Sequence, residues 1–328
     1  MLTRRRFLAL SSAGFACSAT GFTPIARAQA FDEVARLIVG FPAGGSADLV
    51  ARRLADALRG SYATTVIVES KPGASGRIAV EAVKNAKSDG SVVLFTPATM
   101  LTLFPHVFTK LAYDPFRDFV PVTTVCTFEF GLVVGPAAPV NSAGEFVDWC
   151  KANPRKAAYG SPAAGSGAHF LGVMFAQAAG VNLLHVPYKG ATVAMQDVLG
   201  GQIASFIGVM SDLIPHHRSG KAQVVATSGR KRSRYLPDVP TFEEAGYQGV
   251  SAQEWYGLFV PQRTPTDAVN KLNKATLDAL KNSDVVTALE TLSFEPTGST
   301  PAAFAERLKA EYGHWAPIVK ASGFKVEE

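Results

Sequence analysis

Between the apolar run Leu37-Ile38-Val39 and an amphipathic segment that starts near Ser46 lies Phe41-Pro42-Ala43-Gly44-Gly45-Ser46-Ala47-Asp48. The order predicts a strand, a tight turn and a helix start. Two adjacent glycines let the backbone turn sharply and leave its N–H groups uncovered, and the first helical turn adds further unpaired donors. Such a turn is an anion site. Asp48 fits it in two ways, as a ligand contact or as an acceptor for backbone N–H groups that orders the turn.

Outward from this turn the chain alternates strand and helix. Residues 36–40 form a strand, 46–59 a helix with Leu49, Val50, Leu54 and Leu58 on one side, and 65–69 a β-branched strand. A loop at 71–76, a helix at 78–86 and a strand at 91–95 complete a parallel βαβαβ unit. Ligands of such sheets bind beyond the carboxyl ends of the strands, which here are the turns 41–48, 70–76 and 96–101. An extended stretch, 119–135, leads to a second alternating set. It comprises helices at 143–152, 165–179 and 191–199 and strands at 157–160, 183–186, 202–207 and 222–227. A second extended stretch, 251–260, returns the chain, and helices at 266–281, 284–291 and 301–321 complete the first unit. The expected fold is therefore α/β with two lobes, 31–130 plus 252–328 and 131–251. Two crossings serve as a hinge, with a ligand cleft between the lobes.

Tyr159-Gly160-Ser161-Pro162-Ala163-Ala164-Gly165-Ser166-Gly167-Ala168-His169 repeats the strand, glycine turn and helix of the opening stretch. Each lobe then aims a helix N-terminus at the cleft. A charge beside each terminus gains about 0.3–1 kcal/mol, whereas micromolar binding needs about 8 kcal/mol. Direct N–H and hydroxyl bonds, with Ser161 and Ser166 as candidates, must supply the remainder together with ordered water. The motifs of enzymes fit less well. Gly44-Gly45 lacks the spacing of a dinucleotide fingerprint, although Glu69 ends the next strand where a ribose-binding acid would stand. Ser166 and His169 lie close on one helical turn without a nucleophile elbow, and the adjacent His216 and His217 lack metal-site spacing. No catalytic residue, metal or cofactor is expected. Trp255-Tyr256 suits core and cleft wall equally.

The 328 residues suffice for two ordinary domains with real cores. Thr3-Arg4-Arg5-Arg6-Phe7-Leu8, the apolar run 9–19 and Ala26-Arg27-Ala28 form a twin-arginine-type signal peptide over 1–28, with cleavage expected between Ala28 and Gln29. The apolar run is shorter than the ~20 residues of a membrane span. Without that segment's four arginines the net charge of +5 falls to about +1, which removes the case for a nucleic-acid partner. Cys126 and Cys150 remain in an oxidising compartment, either paired or as two buried thiols.

Several fragments together carry a family resemblance. They are the Phe-Pro-x-Gly-Gly-x-x-Asp turn at 41–48, Glu69-Ser70-Lys71-Pro72-Gly73-Ala74-Ser75-Gly76, Leu111-Ala112-Tyr113-Asp114-Pro115 and Ala152-Asn153-Pro154. To these are added His185-Val186-Pro187-Tyr188-Lys189-Gly190, Leu199-Gly200-Gly201-Gln202 and Leu236-Pro237-Asp238-Val239-Pro240-Thr241. In this ordered set the chain resembles the substrate-binding proteins of tripartite tricarboxylate transporters, the Bug family of periplasmic carboxylate receptors. The resemblance implies a periplasmic-binding fold of type II-like form. It implies a monomeric, non-enzymatic receptor that delivers a mono-, di- or aromatic carboxylate to transporter membrane subunits. The class alternatives are an exported sensor and an exported enzyme acting on a small acid. Carried onto this chain, one carboxylate lies between Pro42, Gly44, Gly45 and Asp48 and Ser161, Ser166, Gly167 and His169. Phe41, Ser46, Thr96, Thr99, Tyr188 and Gly208 complete the candidate set. Relatives often carry Asp-Asn where Gly208-Val209 stand, so a less polar or bulkier acid is expected, and Phe128 and Phe130 suggest an aromatic wall.

Overall fold

The computed structural model describes residues 33–326; the export segment lies outside them. The first elements are β1 (Val34–Val39), α1 (Ser46–Leu58), β2 (Thr65–Ser70), α2 (Arg77–Lys84) and β3 (Val92–Pro97). β1 pairs in parallel with β2 on one side and β3 on the other, which is the βαβαβ unit expected from the alternation. In α1 the buried apolar residues are Ala47, Val50, Ala51, Leu54, Ala55 and Leu58, a helical stripe, whereas Leu49 faces out. Two short helices, α3 (Thr99–Thr102) and α4 (Phe104–Val107), follow β3 where the sequence suggested only a turn.

β4 (Phe119–Val134) is the long member of the sheet. The second half of the fold comprises α5 (Ala143–Ala152), β5 (Ala158–Ser161), α6 (Gly167–Ala179), β6 (Leu184–Pro187), α7 (Ala191–Leu199), β7 (Ser205–Val209), α8 (Met210–Arg218) and β8 (Gln223–Thr227). The chain returns through β9 (Gln253–Pro261), α9 (Thr266–Ala279), α10 (Ser283–Thr291), β10 (Glu295–Pro296) and α11 (Pro301–Ser322). The caps are those that the local sequence supplies. Ser142 accepts the Glu145 amide at α5, Asn282 caps α10, Thr300 precedes Pro301 at α11, and Gly180 and Gly323 end α6 and α11 in the left-handed region.

The sheet order is β2-β1-β3-β9-β4-β7-β5-β6, with β8 and β10 also on β4. β4 runs antiparallel to β9 as far as Glu129 opposite Gln253, and from Phe130 opposite Val209 it pairs with β7. One strand thereby joins the two lobes of a mixed α/β fold. The apolar interior continues past the same point, since Phe128, Phe130 and Tyr256 belong to a single buried cluster with Leu37 and Val50 on one side and Phe146 and Phe175 on the other. Cys126 and Cys150 are both buried and free. Among the described residues no helix is long and apolar enough to cross a membrane.

Candidate functional site

The first glycine turn is held from within. Gly44 has φ +82°, and its amide donates to Asp48 Oδ2 over 2.9 Å. Asp48 also accepts from Arg52 Nε at 2.7 Å and from the Ser70 hydroxyl at 3.3 Å. Burial pushes the Asp48 carboxyl upward, but Arg52, the Gly44 amide and Ser70 outweigh it and hold the group below the usual carboxylate range. Asp48 therefore orders the turn. The amides of Ser46 and Ala47, which open α1, have no acceptor among the described residues.

The second turn is ordered by its own side chains. Gly165 has φ +75° and donates its amide to His169 Nδ1 over 3.1 Å. The Ser166 hydroxyl accepts the His169 amide and donates to the Ala163 carbonyl. Ser161 donates to that carbonyl and lies 2.7 Å from His185 Nε2. The His169 and His185 rings stack at 3.7 Å. Burial pushes them down to about 3 and about 4, so both are neutral over the ordinary range. The Ala168 amide at the start of α6 has no acceptor among the described residues.

Between the turns lies a cavity of about 320 Å³. Phe41, Pro42, Gly45 and Ser46 line it from one lobe, and Ser166 and Gly167 from the other, with Thr99 beside them. Thr99 bridges the lobes, accepting the Gly167 amide at 3.2 Å and donating to the Glu254 carboxylate. The far wall is aromatic: Phe128 and Tyr256 have ring centres 4.7 Å apart, and Phe130 meets Phe128 edge-on.

Seven candidates stand back from this cavity. Gly44, Asp48, Ser161 and His169 shape the two turns. Thr96 is buried in β3, with its hydroxyl turned to the Pro97 carbonyl, and the next residue, Pro97, lines the cavity instead because strand side chains alternate. Tyr188 spends its hydroxyl on Asp197 at 2.8 Å while its ring covers Gly160. Gly208 faces the Phe206 ring, where a Cβ would stand 2.2 Å away. The absence of an acid at Gly208 does not leave this end of the cavity without one. Asp212, in the first turn of α8, lines the cavity, and the Ser46 hydroxyl reaches it from the other lobe.

Burial pushes Asp212 up to about 7 against the Ser46 hydroxyl. Burial also pushes Glu254 up to about 7, with Thr99 opposing and Glu311 reinforcing. Reasoning from sequence missed both. Glu254 shares a face of β9 with Tyr256, two residues on, so placing Tyr256 in the wall also places Glu254 there. Trp255 points the other way into the core. A larger hollow of about 870 Å³ lies under the loop 229–235 and α11. Arg232, Arg234 and Arg307 in its lining are paired with Glu244, Glu290 and Glu311, and neither glycine turn reaches it. The smaller cavity, on which the starts of α1 and α6 converge, is the candidate site.

Comparison with known proteins gives a family and several similar structures. The family described as "Tripartite tricarboxylate transporter family receptor" matches residues 50–324. The chain is 32% identical to protein BugT of Bordetella pertussis over 297 residues, 89% of this chain and 90% of that one. It is similar to the structure of the periplasmic binding protein BugD, with TM-score 0.85 and 31% identity over 90% of this chain and 99% of that one. The structure of R. palustris Rpa4515 with adipate gives TM-score 0.85 and 28% identity over 90% and 99% of the two chains.

Proposed function

The chain belongs to the tripartite tricarboxylate transporter receptor family, and on that premise we propose that it captures a small organic carboxylate between its two glycine turns and delivers it to transporter membrane subunits. Family membership makes it a periplasmic solute-binding receptor; the ligand, the residues that hold it and the delivery step are our reading. One observation carries it: the unpaired amides of Ser46 and Ala47 and that of Ala168 converge on one cavity from two helix N-termini.

Three bonds from N–H groups to a charged acceptor contribute about 1.5–3 kcal/mol each. Together they span about 4.5–9 kcal/mol, the charge of the helix starts being that of the same N–H groups, and this brackets the roughly 8 kcal/mol of micromolar affinity. The adipate bound by the R. palustris relative supports a carboxylate as the guest class. In this reading the lobes are 31–130 with 252–328 and 131–251, and they close about the point where β4 changes partner. The chain acts as a monomer without catalysis, exported by the twin-arginine segment.

A thermal-shift screen of mono-, di- and aromatic carboxylates against nucleotides and sugars tests the reading. A carboxylate should raise Tm as its concentration passes Kd. A response to nucleotides or sugars alone would refute it.

A further inference from the structure

The acids in the cavity pose a question that a simple carboxylate ligand does not answer. Asp212 and Glu254 both line it, and the groups acting on them are the Ser46 and Thr99 hydroxyls and, for Glu254, a further acid, Glu311. Glu254 is only 7% exposed. Lys189 is the one basic side chain among the described residues that line the cavity, and it stands exposed. A ligand bearing carboxylates alone would bring more negative charge beside two acids in a low-dielectric space.

Resting on the receptor reading of this cavity, we infer that the ligand is an amino-carboxylate, with its cationic nitrogen held by Asp212 and Glu254. The helix starts take the carboxylate, and the two acids receive the nitrogen. Phe128, Phe130 and Tyr256 line the cavity with those acids, and their apolar rings keep water from screening a charge pair formed there. A buried acid that lacks a cationic neighbour is costly to ionise, and an incoming ammonium group supplies that neighbour. Burial holds both acids up to about 7, the condition that a cation relieves. The cavity of about 320 Å³ suits a small zwitterion.

Isothermal titration at neutral pH tests this with straight-chain carboxylates from acetate to octanoate. Each is compared with its α-amino, ω-amino and ω-carboxy counterpart. At least one amino-carboxylate should bind about tenfold or more tightly than its amine-free parent. Asp212→Asn and Glu254→Gln should each shrink that ratio, weakening the amino-carboxylate more than its amine-free parent. Should a variant fail to fold, the ranking on the wild-type protein decides. Parent acids or dicarboxylates that bind as well as every amino counterpart would overturn this inference and leave the receptor reading standing. If no member of the series binds, this inference falls, and the thermal-shift screen with aromatic carboxylates decides the receptor reading.

Discussion

Glu254→Gln separates the charge of a cavity side chain from its shape. Glu254 is 7% exposed and accepts the Thr99 hydroxyl, and burial pushes its carboxyl from 4.5 up to about 7. A carboxyl raised in the native state holds its proton there after the unfolded chain has lost it. Stability is therefore greatest on the acid side, falls as pH rises from about 4.5 to about 7, and levels above that. At about 1.4 kcal/mol for each tenfold change in proton affinity, the fall amounts to about 3 kcal/mol. Glutamine is neutral throughout and keeps an acceptor for Thr99. The ligand-free variant should therefore exceed the wild type by about 3 kcal/mol near pH 8, and the gap should close towards pH 4.5. Asp212 contributes equally to both proteins and cancels. Urea unfolding at a series of pH values, with the slope m unchanged between the proteins, measures the gap. A variant less stable than the wild type near pH 8, or a gap that does not change with pH, would refute the reasoning.

Asp48→Asn should cost about 1–2 kcal/mol at neutral pH, less than a fully buried ion pair because Arg52 is half exposed. As the native Asp48 carboxyl is held below its usual range, this gap should fade as pH falls below about 4, and urea unfolding on the acid side checks the sign. Gly45→Val should fold normally, since Gly45 has φ −78° and a Cβ there sits 3.5 Å from the Pro42 carbonyl. It should nevertheless weaken carboxylate binding by about tenfold, and unchanged affinity by titration would remove the α1 start from the site. Tyr188→Phe should leave ligand affinity unchanged, because its hydroxyl serves Asp197 outside the cavity. Reductant should leave Tm unchanged, because Cys126 and Cys150 are free and buried.

The fold was legible where local chemistry and global structure agree. The alternation of β-branched runs with amphipathic ones determined the parallel β1, β2, β3 unit, and Ser142, Ser166 and Thr300 mark helix starts that the structure uses. α8 was not legible, because its nine residues contain Pro215 and show weak amphipathic order. Asp212 went unseen with it. The two glycine turns were legible as helix starts with uncovered N–H groups because glycine placement and a following helix are local facts.

What each residue of those turns does was not. His169 and Asp48 proved to be turn-ordering groups, since their partners, Gly165 and Gly44, lie within four residues but only the folded turn aims them. The sequence by itself determined that this chain builds two glycine-rich helix starts on an α/β scaffold. Only the tertiary structure decided what faces them, because Asp212, Glu254 and Tyr256 reach the cavity through strand register and lobe packing, and those contacts join residues too far apart in the chain for any local pattern to record.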